Sequence, residues 1–274
     1  MGDADTPLRV VVPGAAGKMG QHILRALTEA AGAKLVGAVE RPDHPRIGED
    51  AGVVAGLAPL GVPLTSNLDA ALAGADALID FTSPAATAHF AARATAHHVA
   101  LVVGTTGLGD MQRKAVELAA EEVPVVLSPN MSVGVNVLFG LVEMAARALG
   151  EAYDVEIVEF HHRQKRDAPS GTAMKLAEVI AEALGRDLAQ VGTWGRKGDV
   201  GARRPEEIGV LAGRGGDVVG DHTAYFLGLG DRIEITHRAS SRETFARGAV
   251  RAALWLADRD PGLYDMRDVL GLRG

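Results

Sequence analysis

Residues 159–173 read EFHHRQKRDAPSGTA and gather His161, His162, Lys165 and Asp167 into one turn-rich stretch. Lysine is scarce in this chain, six in 274 residues, and one of the six falls here. Ser170, Gly171 and Thr172 follow with the chemistry of a helix start. The serine can cap, the glycine lets a ligand approach the backbone, and successive N–H groups face outward toward an anion. With Lys165 as counter-charge, the segment reads as a site for an acidic small molecule. Adjacent side chains on a continuing strand face opposite sides, so His161 and His162 share a cleft only if the strand ends there. Zinc is the rival use of two histidines. Their adjacency is not ligand spacing, and the chain has no cysteine and no H-E-x-x-H pair, so no metal is expected.

A second constellation is GAAGKMG at 14–20, directly after a strand pattern and before a helical one. Glycines there allow a sharp turn and let a diphosphate reach the helix N-terminus, where free N–H groups and the dipole favour negative charge. The spacing G-x-x-G-x-x-G is looser than the common dinucleotide fingerprint. The next strand ends in Glu40-Arg41. An acid at that place can hydrogen-bond ribose hydroxyls, and an arginine beside it can pair with a 2′-phosphate, so the pair suits NADH or NADPH. Asp80-Phe81-Thr82-Ser83-Pro84, Gly104-Thr105-Thr106-Gly107 and Ser128-Pro129-Asn130-Met131-Ser132 end three later strands. Turn chemistry explains any one of them; their recurrence at the edge where open α/β sheets bind ligands favours a shared cleft.

The elements that must position these residues follow from periodicity. Strand patterns at 8–12, 34–39, 77–81, 99–103 and 123–127 alternate with helical stretches at 21–31, 85–97 and 109–122. That rhythm predicts an α/β fold, a Rossmann-type parallel sheet buried on both faces, over residues 1–132. The rhythm then changes. A helix near 135–149, a strand at 153–160, a helix at 172–185 and strand-like pieces at 208–212, 223–227 and 233–237 predict a second, α+β domain over 133–242 with a mixed or antiparallel sheet. Residues 186–221, rich in glycine and charge, are expected to form a long mobile loop. Helical periodicity returns at 244–258, and a C-terminal helix over 243–274 is expected to rejoin the first domain.

Composition bounds the partners. Hydrophobic residues at 47% and charged residues at 23% are ordinary for a globular chain. With 28 basic against 35 acidic residues, a net charge of −7, nucleic acid is not an expected partner. No cysteine means no disulfide framework and no thiolate nucleophile. No uninterrupted apolar run approaches the roughly 20 residues that span a bilayer. The first residues lack a basic and then apolar leader, and Gly2 with Thr6 is a poor acylation signal, so no membrane partner and a cytoplasmic location are expected.

Taken in order, GAAGKMG, DFTSP, GTTG, SPNMSVGVN, EFHHRQKRDAPSGTA and THRASSRETFARGAVRAALWL cover nearly the full length and resemble the 4-hydroxy-tetrahydrodipicolinate (dihydrodipicolinate) reductase family of diaminopimelate and lysine biosynthesis. The resemblance implies NAD(P)H-dependent reduction of a cyclic dicarboxylate to tetrahydrodipicolinate, with the second domain binding substrate and assembling a homotetramer. It implies that Gly14, Ala15, Ala16, Gly17, Lys18 and Met19 hold the diphosphate, Glu40 the adenosine ribose and Arg41 the NADPH phosphate. Gly104, Thr105 and Thr106, with Ser128, Pro129, Asn130 and Met131, would flank the nicotinamide end. His162, Gly171 and Thr172 would bind the substrate carboxylate, Lys165 would donate the proton, His161 would take part in proton transfer, and Arg242 would reach the same site. Hydride addition to a conjugated ring carbon builds electron density that a neighbouring acid must quench, which suits Lys165. An acid on one domain and a cofactor on the other implies hinge closure. Two residues depart from the family pattern: Met131 stands where many relatives carry an aromatic, and Lys18 where many carry arginine. The second leaves the choice between NADH and NADPH open, because a lysine point charge and an arginine fork hold phosphate differently. The alternative is another two-domain NAD(P)-dependent dehydrogenase of an amino-acid intermediate, which needs the glycine loop but not the HHRQK…SGT arrangement.

Overall fold

The computed structural model describes residues 6–272, so Gly2 lies outside the described residues. The chain divides into two compact units, one running to Val133 and resuming at Arg242, the other Gly134–Ser241.

In the first unit β1 (Leu8–Pro13), α1 (Lys18–Glu29), β2 (Ala33–Val39), α2 (Ala51–Val54), β3 (Leu64–Thr65), α3 (Leu68–Leu72), β4 (Ala77–Asp80), α4 (Pro84–Ala96), β5 (Ala100–Val103), α5 (Asp110–Ala120) and β6 (Pro124–Leu127) alternate strand with helix. Strand side chains alternate between faces, and both faces are covered. Val10 and Val12 pack with Ile23, Leu24 and Leu27 of α1. Val11 packs on the other side with Leu78, Leu101, Ala91 of α4 and Val116 of α5. All pairings are parallel, and β1 lies between β2 and β4, so the strand order reverses at β1. Ligands bind at such a reversal, beyond the carboxyl ends of the strands.

The second unit follows with α6 (Val133–Leu149), β7 (Asp154–His161), α7 (Gly171–Ala183), α8 (Leu188–Val191), β8 (Gly192–Thr193), β9 (Ile208–Arg214), β10 (Gly220–Leu227) and β11 (Arg232–Ala239). Its five-stranded sheet runs β11-β10-β7-β9-β8 and is mixed: β7 pairs antiparallel with β10 and parallel with β9. Val155, Ile157, Ala224 and Phe226 form one apolar core with Leu138, Phe139 and Val142 of α6 and Leu176 and Ile180 of α7. Phe160, Leu211 and Ile233 are exposed. By length and composition, 133–152 reaches membrane-spanning proportions. Its buried stripe belongs to the unit's core, and Glu143 and Arg147 pair at 3.0 Å elsewhere on the helix.

Two expectations are corrected here. Residues 186–221 are not one loop but contain α8, β8 and β9. Arginine fastens the remainder: Arg196 bridges Glu156 and Glu207, while Arg203 pairs with Asp154 and Glu156 and donates to the carbonyls of Val155 and Glu207. The final segment is likewise not one helix over 243–274. It forms α9 (Glu243–Leu256), β12 (Gly262–Tyr264) and α10 (Met266–Val269) in the first unit. Pro261 cannot extend a helix, and β12 adds to the sheet edge parallel to β6.

Candidate active site

The first unit presents its site where β1 gives way to α1. Gly14 takes φ +65°, a backbone region that side chains rarely enter, and its amide returns to the Val39 carbonyl at 2.8 Å. A Cβ at Gly20 would lie 2.1 Å from the Gly14 carbonyl oxygen, so only glycine lets the first turn of α1 close on the loop. Gly17 at the helix cap has no side chain to spend on the amides that follow. Glu40 accepts the Ala16 N–H through Oε1 at 3.0 Å, which fixes its carboxylate beside the glycine turn. Arg41 is exposed and pairs with Asp43 at 3.1 Å. Gly14, Ala16, Gly17, Glu40 and Arg41 line a cleft of about 620 Å³ together with Phe81, Thr82 and Ser83. A glycine cradle that a Cβ would fill, a dipole-bearing helix end and an acid held at the second strand fit a dinucleotide.

Of the other expected cofactor residues, Ala15 is buried, while Gly17 and Lys18 are exposed at the start of α1 and Met19 is partly buried. Gly104, Thr105, Thr106 and Ser128 to Met131 follow β5 and β6 and do not line that cleft. The Thr105 hydroxyl accepts the Thr82 N–H at 3.0 Å, tying the β5 loop to the β4 loop. Ser128 donates its hydroxyl to the Asn130 carbonyl at 3.0 Å, and Asn130 Oδ1 accepts the Ser132 N–H at 2.9 Å. The Met131 side chain is buried in the same apolar cluster as Ala249 and Val250 of α9. The cleft also includes His44, Ser66, His89 and Phe90, which sequence reasoning missed; Ser66 follows a two-residue strand too short to show a period.

In the second unit the buried face of β7 reads Val155, Ile157, Glu159, His161, passing from apolar to polar along the strand. Glu159 is fully buried and accepts four hydrogen bonds. Arg214 on β9 reaches both of its oxygens at 2.9 Å, the Ser170 amide donates to Oε1 at 3.0 Å, and His161 Nδ1 lies 2.6 Å from Oε2. Burial alone would push the Glu159 carboxyl up, yet the bonds from His161, Arg214 and Ser170 hold it down to about 2. His222 stands opposite Glu159 on β10, and its Nε2 lies 3.0 Å from the Ser170 hydroxyl. Burial, reinforced by His161, pushes the His222 imidazole down to about 3.

The strand ends at His161, and the chain turns with the Lys165 amide donating to the His162 carbonyl at 3.0 Å. Lys165 Nζ pairs with Asp167 at 2.9 Å. Burial would raise the Asp167 carboxyl, but the ammonium holds it below the usual carboxylate range. Ser170 caps α7 by accepting the Ala173 N–H at 3.2 Å, leaving Gly171 exposed and Thr172 partly buried in the first turn. His161 at the end of β7, His162 and Lys165 on the loop that follows, and Gly171 and Thr172 in the first turn of α7 therefore lie on one continuous segment. Arg214 and His222 went unread in the sequence because they come from other strands. Arg242 stands just before α9 in the first unit. Among the described residues no group of three His, Cys, Asp or Glu is placed to hold a metal ion.

A glycine turn at the reversal of a parallel sheet, with a lysine and histidines beside a helix start elsewhere in the chain, fits a nicotinamide-dependent oxidoreductase. The comparisons narrow that class. The family model for the dihydrodipicolinate reductase N-terminus matches residues 8–131 and that for its C-terminus matches residues 134–270, so the chain belongs to the dihydrodipicolinate reductase family. It is 59% identical over 266 residues to a 4-hydroxy-tetrahydrodipicolinate reductase of Anaeromyxobacter dehalogenans strain 2CP-1, covering 97% of this chain and 98% of the relative. It is 52% identical to one from Syntrophotalea carbinolica, covering 97% and 100%. A dipicolinate-bound dihydrodipicolinate reductase from Paenisporosarcina sp. TG-14 superposes with a TM-score of 0.76 at 26% identity, covering 95% of this chain and 98% of that one.

Proposed function

We propose that the first unit holds the nicotinamide cofactor and the second unit holds the substrate and the proton-transfer groups. The chain reduces 4-hydroxy-tetrahydrodipicolinate to tetrahydrodipicolinate with NADH or NADPH, in diaminopimelate and lysine biosynthesis. The observation that carries the residue assignments is that one buried carboxylate, Glu159, touches both His161 and the amide capping α7.

Gly14 to Met19 hold the diphosphate against the α1 N-terminus, Glu40 takes ribose hydroxyls, and Arg41 exchanges its exposed Asp43 partner for a 2′-phosphate when the cofactor carries one. The loops at 104–106 and 128–131 flank the nicotinamide end, which supplies a hydride when bound. His162 and the Gly171 and Thr172 amides bind a substrate carboxylate at the N-terminus of α7. Lys165 gives a proton to the ring as electron density builds there, and His161 takes part in the proton transfer.

Assembly as a homotetramer through the second unit belongs to the same proposal. The support is the exposed Phe160 and Leu211 on the side of the sheet opposite its apolar core. A cytoplasmic location accompanies it, in keeping with a cysteine-free chain that draws on soluble nicotinamide cofactors.

The test follows oxidation of NADH and of NADPH at the nicotinamide absorbance band, with substrate generated in place by the preceding enzyme of the pathway. Substrate-dependent oxidation is expected with at least one cofactor. Binding of both cofactors without oxidation of either would remove the substrate assignment and leave the fold standing.

A further inference from the structure

Glu159 occupies a position where the alternation of β7 calls for an apolar side chain, since Val155 and Ile157 precede it on the buried face. A buried carboxylate is costly unless every lone pair finds a donor. Here each donor leads to a different part of the loop that carries the reactive residues. His161 Nδ1 contacts Oε2 at 2.6 Å, and a carboxylate can only accept, so Nδ1 carries the proton of that bond and Nε2 stays outside it. The Ser170 amide on Oε1 fixes the start of α7. Arg214, held on both oxygens, spends a further N–H on the Asp167 carbonyl at 2.7 Å, and Asp167 is the residue that pairs with Lys165. Gly220 leaves room beside the imidazole: a Cβ there would lie 2.9 Å from His161 Nε2.

We infer that Glu159, locked by Arg214, is a positioning residue that sets the tautomer and direction of His161. This rests on the assignment of His161 to proton transfer made above. The Glu159–Arg214 pair touches no reacting atom. It acts through His161, in the way a buried acid orients an imidazole in a hydrolytic triad.

The experiment is a double-mutant cycle in the full-length protein, with Glu159→Gln, His161→Ala and the combination. Glu159→Gln keeps the shape and removes the charge. The readouts are kcat, KM for the substrate, NADH affinity by fluorescence, and thermal unfolding. Misplacing a reacting group by about 1 Å costs about 10²-fold in rate. Glu159→Gln is expected to lower kcat by about that factor with NADH affinity unchanged, and to cost less than about twofold more once His161 is already alanine. A loss as large in the His161→Ala background as in the parent overturns the proposal and makes Glu159 purely structural. So does a Glu159→Gln variant with parental kcat. Full activity of His161→Ala alone instead refutes the underlying role of His161, and the positioning role with it. Should Glu159→Gln not fold, Arg214→Lys enters the same cycle. It keeps the positive charge, loses the fork on Glu159 and the Asp167 carbonyl, and is judged by the same non-additivity.

Discussion

Lys165 Nζ lies 2.9 Å from the Asp167 carboxylate, two residues along a loop whose other end caps α7. A lysine held by a neighbour on its own turn is kept in place before substrate arrives. A substrate carboxylate competes for the same ammonium. Lys165→Ala is therefore expected to reduce kcat by ~10²–10⁴-fold, the range for a positioned proton transfer, while NADH affinity measured by fluorescence titration stays within about twofold. Turnover near the parental level would take Lys165 out of the mechanism.

A second prediction concerns Arg41 and the choice of cofactor. Its guanidinium is exposed and its partner Asp43 is equally exposed, so exchanging that pair for a 2′-phosphate costs little. A charge-assisted hydrogen bond contributes about 1.5–3 kcal/mol, or about tenfold or more in affinity. Arg41→Ala should weaken NADPH binding by at least about tenfold and change NADH binding by less than about twofold. Equal weakening of both would assign the arginine to general packing of the cleft.

The sequence made the first sheet readable because β1, β2, β4, β5 and β6 are apolar runs separated by helices of ordinary length. β3 and β12, with two and three residues, are too short to carry a period, and both lie at the sheet edges. The polar end of β7 was written in its alternation, where Glu159 and His161 continue the face of Val155 and Ile157. Its meaning was hidden because Arg214 and His222 arrive from β9 and β10, and strand pairing in the second sheet is not a local property. The 186–221 stretch misled for the opposite reason. Glycine and charge suggested mobility, whereas Arg196 and Arg203 spend their charge fastening the chain to β7.

The same substitution at two helical glycines should act with opposite signs. A Cβ on Gly248 would lie 1.7 Å from the Met131 carbonyl oxygen, so α9 approaches the β6 loop only because that residue is glycine. Gly248→Ala should cost about 1–3 kcal/mol of stability through overpacking and weaken nicotinamide cofactor binding by disturbing 128–131. Gly140 in α6 has nothing within 4 Å of the place where its Cβ would stand. Gly140→Ala should stabilise by about 0.5–1 kcal/mol by removing a glycine from a helix interior. Thermal unfolding of the two variants side by side distinguishes a close approach from simple helix propensity.

Acid sensitivity follows from His222. Folded, its imidazole is held down to about 3, mainly by burial, whereas in the unfolded chain it takes a proton below its ordinary value of 6.5. The unfolded state then binds more protons, so the contribution is a loss of stability that starts as pH falls through 6.5 and is complete near 3. His22 and His237 are lowered by burial as well and act in the same direction. Glu159, lowered from 4.5 to about 2, adds a separate loss only between those two values, as its ion pair is protonated away. Between pH 6.5 and 5 the histidines act without the carboxylate. Unfolding free energy from denaturant titration should be lower at pH 5 than at pH 7.5, with His222 contributing about 1–2 kcal/mol of the difference. His222→Gln, which keeps a hydrogen-bonding group toward Ser170 but does not titrate, should remove that share and leave the smaller part due to His22 and His237. An unchanged pH dependence in His222→Gln would mean that His222 is protonated in the folded protein and that its place opposite Glu159 does not keep it neutral.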